Sequence, residues 1–266
     1  MLSVVRRPLI IAHRGASQVA PENTLTAFQT ALALGADGVE LDVRLSADGV
    51  PVVIHDATVD ATTDGSGPVS GLTLGELKDL DAGCRFDRAF SGEQIPTLAE
   101  VLDTWPAEAV LNIELKGFQV SERGLEIAVV ELLRKYRWEK HAVVSSFNPL
   151  ALHRVRELSA RVPIALLYAH RSLLRLRLSG LLVQGTLAAL HPHYAVVDPR
   201  HVTQAHARGA RVNVWTVDDP IEMRRLVHLN VDGIITNVPR VMQDVLGRES
   251  RSIERPLSRE VDPSMT

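Results

Sequence analysis

Apolar positions along the chain fall into two kinds of segment that alternate. Short β-rich runs occupy residues 9–13 (LIIAH), 38–45 (GVELDVRL), 52–56 (VVIHD), 109–116 (AVLNIELK) and 142–147 (AVVSSF). Four more follow at 164–168 (IALLY), 194–198 (YAVVD), 211–217 (RVNVWTV) and 232–237 (DGIITN). Between them the apolar spacing lengthens to a helical period at 24–35, 121–136, 148–159, 199–209 and 219–229. Strand-then-helix alternation predicts parallel strands joined by crossover helices. Local signals agree: Asn148 and Asp219 each precede a proline, the arrangement of an N-cap followed by a first helical residue that needs no N–H. Gly35 and Gly209 stand where helix C-caps belong.

The strand count slightly exceeds eight. The run VVIHD follows GVELDVRL across a Ser-Ala-Asp-Gly turn and reads as a hairpin or bent continuation of it. A polar, Gly-rich stretch then runs over about residues 57–99, too long for a bare loop in a compact domain and therefore expected to be a small insertion. Residues 249–266 are polar and aperiodic, so a disordered tail is expected after a single catalytic domain over 1–248. An open doubly wound sheet would alternate in the same way. Eight units, with chemistry at the ends of many strands rather than near one switch point, favour a (β/α)8 TIM barrel.

Composition adds bounds. At 266 residues the chain has the length of one such barrel. A net charge of −3 gives no general reason to expect nucleic acid as a partner. The N-terminal apolar stretch is too short and too soon interrupted for a signal peptide, and no run reaches the roughly 18 apolar residues of a membrane span. Cys84, the single cysteine, cannot form an internal disulfide. A soluble cytoplasmic protein with no stable membrane insertion is expected; the oligomeric state is not legible.

Candidate chemistry gathers at strand ends. His13 and Arg14 close the first run, and a guanidinium there suits a phosphate. Glu40 and Asp42, two positions apart in a strand, share a face and must either bracket a cation or pair with a base, for which Arg44 is available. Hard oxygen ligands point to Mg²⁺ or Ca²⁺. Asn112, Glu114 and Lys116 repeat the spacing, either as a third carboxylate with a phosphate-binding lysine or as an interior ion pair. His55 and Asp56 supply a second imidazole and a group able to orient it or to cap a turn. Trp215 shares a face with Asn213 and is either core or pocket wall. His191 and His193 read as a loop, and His201, His206 and His228 as solvated helix positions.

Taken together, these pieces resemble the glycerophosphodiester phosphodiesterase family. The resemblance is carried in order by HRGA and PENT (residues 13–24), GADGVELDVRLSADGVPVVIHD (35–56), TTDGSG (62–67), LTLGELKDLDAG (72–83) and IPTLAEVL (95–102). It continues through NIELKG (112–117), SSF (145–147), VWTVDDP (214–220) and GIITNVP (233–239). It implies that His13 and His55 form a general acid–base pair and that Glu40, Asp42 and Glu114 hold one divalent cation, Mg²⁺ or Ca²⁺. It further implies that Arg14 and Lys116 bind phosphate, and that Phe147 and Trp215 wall the glycerol pocket. The substrate would be a small glycerophosphodiester, hydrolysed to glycerol 3-phosphate and an alcohol. In the family's scheme the glycerol 2-hydroxyl attacks phosphorus and water opens the cyclic phosphate. Ala61 departs from the pattern, which commonly has arginine before the Thr-Thr pair. Alternatives are a hydrolase of lysophospholipids, using the basic and apolar stretch 170–184, or a non-catalytic barrel that binds a phosphorylated ligand.

Overall fold

A computed structural model describes residues 7–116, 124–170 and 187–253, with residues 248–253 described by their backbone alone. The strands are β1 (Leu9–His13), β2 (Gly38–Leu45), β3 (Pro51–Val53), β4 (Val110–Leu115), β5 (Ala142–Ser146), β6 (Ile164–Tyr168), β7 (Ala189–Pro192), β8 (Arg211–Val214) and β9 (Gly233–Thr236). The helices are α1 (Leu25–Ala33), α2 (Leu74–Lys78), α3 (Leu98–Thr104), α4 (Leu125–Lys135), α5 (Pro149–Leu158), α6 (Pro199–His206), α7 (Pro220–His228) and α8 (Pro239–Ile253). Neighbouring strands run in the order β1-β9-β8-β7-β6-β5-β4-β2, and β1 also pairs with β2, which closes an eight-stranded barrel. Every pairing in the ring is parallel, and β3 alone lies antiparallel, against the end of β2. This is the expected (β/α)8 TIM barrel.

Strand parity divides the two faces. Val39, Leu41 and Val43 of β2, with Leu111, Ile113 and Leu115 of β4, belong to the large apolar cluster shared with Phe28, Leu98, Val129 and Leu152 of the helices. The intervening positions, Glu40, Asp42, Asn112 and Glu114, point the other way, into the barrel. So do Ser145, His191 and Asn213, all buried. The interior is therefore polar along β2 and β4, while their outward faces are apolar.

The helix signals act as expected. The Asn148 and Asp219 side chains accept from the backbone N–H groups of Leu150 and Ile221. Gly35 and Gly209 adopt φ of +87° and +74°, as helix-ending glycines do. Between β3 and α3, Val52, Ile54, Val59, Val69, Leu77, Ala82 and Ile95 form a small second cluster beside the barrel. Two capping boxes, Thr73–Glu76 and Thr97–Glu100, start α2 and α3 there.

Two sequence expectations need correction. The sixth strand of the ring, β7, is Ala189–Pro192, while Tyr194–Val196 of the YAVVD run forms a 3-10 turn. Pro192 had marked that run as a loop, but it is the last residue of β7, where its missing N–H breaks no central ladder. His191 is consequently a barrel-interior residue, fully buried, rather than a loop residue. The last helix also runs to Ile253, past the start of the expected tail at 249. Residues 254–266 and 171–186, which carry the rest of the expected tail and most of the basic stretch 170–184, lie outside the described residues. Among the described residues no helix is long and apolar enough to cross a membrane.

Candidate active site

At the carboxyl ends of β1, β2 and β4 the chain brings together His13, Arg14, Glu40, Asp42, Glu114 and Lys116. Strand register accounts for it: His13 lies opposite Glu40, Glu40 opposite Asn112, and Asp42 opposite Glu114. One carboxylate oxygen from each of Glu40, Asp42 and Glu114 lies within 4.8 Å of the others, and all three residues are buried.

Arg14 reaches this centre through an unusual backbone. Its φ is +57°, a left-handed conformation costly for a side chain with a Cβ, and its N–H donates to the Glu40 carbonyl at 2.9 Å. Gly15 follows at φ +84°, where a Cβ would stand 2.7 Å from the backbone carbon of Ala27. The turn therefore needs glycine for both conformation and space. Arg14 Nη1 donates to Glu22 Oε1 at 2.9 Å, and Nε approaches Asp42 Oδ2 to 3.3 Å.

The electrostatics are those of crowded carboxylates. Burial raises the Glu40 pKa well above the usual range, and repulsion from Asp42 and Glu114 adds to it. Burial likewise raises Glu114, against the opposing pull of Lys116. Burial would raise Asp42 too, but Lys116 and Arg14 outweigh it and hold that carboxyl low. Lys116 Nζ lies 3.1 Å from Asp42 Oδ1, close enough for attraction but without hydrogen-bond geometry, since this oxygen has no hydrogen-bond partner. Nζ also pairs at closer range with Glu114 Oε1 (2.5 Å). Lys116 and Arg14, the latter shared with Glu22, thus offset only part of the triad's negative charge. Buried oxygens without hydrogen bonds, Glu40 Oε1 and Asp42 Oδ1, fit ligation of a hard divalent cation.

Both candidate histidines are held at Nδ1 by an acceptor outside the centre. His13 Nδ1 lies 2.8 Å from Asn237 Oδ1, and His55 Nδ1 lies 2.7 Å from Asp56 Oδ1. These contacts assign the Nδ1–H tautomer to each ring and leave Nε2 for proton transfer. His13 Nε2 is 3.9 Å from Glu40 Oε2. Burial, reinforced by Arg14, lowers the His13 pKa to about 4, so this ring is neutral at physiological pH.

The opposite side of the mouth is apolar. Phe147, Leu167, Trp215 and Ile235 line a cavity of about 280 Å³ whose other wall includes His13, Arg14, Glu40, His55, Glu114 and Lys116. The Phe147 and Trp215 rings meet edge to face at 5.4 Å. Trp215 Nε1–H donates to the carbonyl of buried His191 at 2.7 Å. Eight of the nine residues given roles from the sequence line this one space, and the fully buried Asp42 joins them through the carboxylate triad, whereas Arg44 turns away and donates to the carbonyls of His55 and Lys116.

Sequence reasoning did not assign Asn23 and Asn237. Asn23 Nδ2 donates to Asp42 Oδ2 at 2.9 Å, and Asn23 Oδ1 accepts from the Asp42 backbone N–H at 3.2 Å. Asn237 Oδ1 accepts from Ser17 Oγ as well as facing His13, and its Nδ2 donates to Asp218 Oδ2 at 2.6 Å. The signals were the PENT segment, with Asn23 just before the N-cap of α1, and the ITN segment, with Asn237 directly after β9. His201, expected to be solvated, is half-buried and hydrogen-bonds the Tyr168 hydroxyl.

Comparison with known proteins bears on the same residues. The sequence matches the Glycerophosphoryl diester phosphodiesterase family over residues 13–241. A glycerophosphodiester phosphodiesterase of Caldanaerobacter subterraneus subsp. tengcongensis is 41% identical over 243 residues, spanning 89% of this chain and 96% of that protein. One from Bacillus subtilis is 32% identical over 90% of this chain and 86% of its own length. The solved structure of an Oleispira antarctica phosphodiesterase in complex with the product sn-glycerol-3-phosphate superposes with a TM-score of 0.80. It is 34% identical, covering 90% of this chain and 97% of that one. With the match running from His13, the last residue of β1, to Val241, beyond β9, the chain belongs to the glycerophosphoryl diester phosphodiesterase family.

Proposed function

We propose that the protein hydrolyses small glycerophosphodiesters to glycerol 3-phosphate and an alcohol, using one divalent cation and a histidine pair. The observation that carries this reading is the buried Glu40–Asp42–Glu114 triad with two basic side chains and two Nδ1-anchored imidazoles around one cavity. Glu40, Asp42 and Glu114 would hold the cation, Mg²⁺ or Ca²⁺, which when bound stabilises negative charge on the non-bridging phosphate oxygens. Arg14 and Lys116 bind the phosphate, Arg14 through its planar fork and Lys116 as a point charge. Phe147 and Trp215 pack against the glycerol carbons and keep water from that side.

One histidine accepts the proton of the glycerol 2-hydroxyl at Nε2 as that oxygen bonds to phosphorus, and the other, starting as an imidazolium with a second proton on Nε2, donates it to the departing alcohol oxygen as that P–O bond breaks. Water then opens the cyclic phosphate with the same two groups in reversed roles. The lone cysteine accords with a reducing compartment, and we assign the protein to the cytoplasm. His13→Ala and His55→Ala should each lower kcat for glycerophosphocholine by roughly 10²–10⁴-fold with the fold retained. Wild-type-like turnover in either variant, measured as glycerol 3-phosphate released, rejects the acid–base pair.

A further inference from the structure

His13 Nδ1 faces a side-chain amide, and an amide has two ends. With Asn237 Oδ1 toward the ring, Nδ1 must carry the proton and donate it. With the amide turned over, its NH2 group would point at Nδ1, and the ring would have to carry its proton on Nε2 instead. The orientation of Asn237 therefore decides which nitrogen of His13 is free to face the site. Ser17 does not decide it. Its hydroxyl lies 3.0 Å from Oδ1, but a hydroxyl donates or accepts and suits both orientations.

Asp218, just past β8 in the VWTVDDP segment, does decide it, because a carboxylate only accepts. Its Oδ2 accepts from Asn237 Nδ2 at 2.6 Å. Its Oδ1 accepts from the Asn237 backbone N–H at 2.8 Å and from Thr236 Oγ1 at 3.0 Å, which ties the carboxylate to the end of β9. Turning the Asn237 amide over would set its oxygen against Asp218 Oδ2, two acceptors with no proton between them. Asp218 is exposed and stands one residue removed from the imidazole, so it acts only through Asn237.

We propose that Asp218 is a positioning residue, which by holding Asn237 Nδ2 turns Oδ1 to His13 and keeps that ring's proton on Nδ1. An imidazolium needs the same acceptor at Nδ1, so one orientation serves both steps in which the two histidines exchange roles. The effect on turnover rests on the phosphodiesterase reading given above; the effect on the ring does not.

Asp218→Asn tests this, since it preserves size and keeps Oδ1 as acceptor for Thr236 and the Asn237 N–H. A merely structural role predicts little change. The positioning role predicts that the new NH2 group forces the Asn237 amide to turn over. In protein labelled with ¹⁵N-histidine at pH 7, the His13 signals, assigned by their loss in His13→Ala, should show Nδ1 protonated in the wild type and Nε2 protonated in Asp218→Asn. The kcat for glycerophosphocholine should fall at least about 100-fold with KM within about threefold. The double variant Asp218→Asn/Asn237→Asp again places an acceptor against His13 and a donor against that acceptor. It should return the proton to Nδ1 and recover kcat to within about tenfold of wild type. A ring still protonated at Nδ1 in Asp218→Asn, unchanged kcat in that variant, or no recovery in the double variant overturns the proposal. Absence of hydrolysis by the wild type rejects the phosphodiesterase reading, and the ring spectra alone then decide the role of Asp218.

Discussion

The two arcs of the barrel mouth are built differently. On β1, β2 and β4 the inward positions carry charge, and because these strands are hydrogen-bonded neighbours, three carboxylates converge within 4.8 Å. On the other side, Phe147, Leu167, Trp215 and Ile235 come from around β5, β6, β8 and β9 and form a surface rather than a point. The charged arc concentrates potential where bonds are to break; the apolar arc offers area for binding. Damage to the first should therefore appear in kcat and damage to the second in KM.

The largest effects belong to the charged arc, where loss of either histidine should remove most turnover. A smaller effect should follow Trp215→Ala. Losing this wall removes glycerol packing and leaves the buried His191 carbonyl without its indole donor. KM for glycerophosphocholine should rise about tenfold with kcat within roughly threefold, since the ring contributes binding of a few tens of Å² of apolar surface rather than chemistry. A kcat collapse with unchanged KM in steady-state kinetics would erase the distinction between the arcs.

The smallest effect concerns the barrel floor beneath both arcs. His191 is buried, and burial lowers its pKa from 6.5 to about 3. The folded state therefore excludes a proton that the unfolded chain takes up below pH 6.5. Stability from this residue is complete above 6.5 and declines as pH falls toward 3, by about 2 kcal/mol at pH 5. In His191→Gln the thermal midpoint should fall less between pH 7 and 5 than in the wild type. Parallel declines in the two proteins would show that the buried ring does not titrate on unfolding.

Much of this was legible in the sequence, for identifiable reasons. The bounds of β1, β2 and β6 were readable to the residue because strands covered on the outside by helices are continuous at every outward position. Glu40 and Asp42 were readable as a pair because a period of two fixes the face, whereas Glu114 joined them through the family resemblance and, in the fold, through the pairing of β2 with β4. Strand β7 was not readable, since ALHP is only four residues and ends in a proline, while the neighbouring YAVVD imitates a buried strand in composition. Asn23 and Asn237 were hidden for a different reason. Their contacts span 19 and 224 residues of sequence, to Asp42 and His13, and no local period encodes such pairings.

The central claim is that the charged arc is a site for a divalent cation, and calorimetric titration of Mg²⁺ and Ca²⁺ into the wild-type protein and Glu114→Gln tests it without relying on activity. The wild type should bind one ion per chain and release protons near pH 7, because burial raises the pKa of both Glu40 and Glu114. Glu114→Gln should bind at least about a hundredfold more weakly, having lost one of three charged ligands. An absence of binding to the wild type, or equal affinity in the variant, would contradict the assignment of the triad.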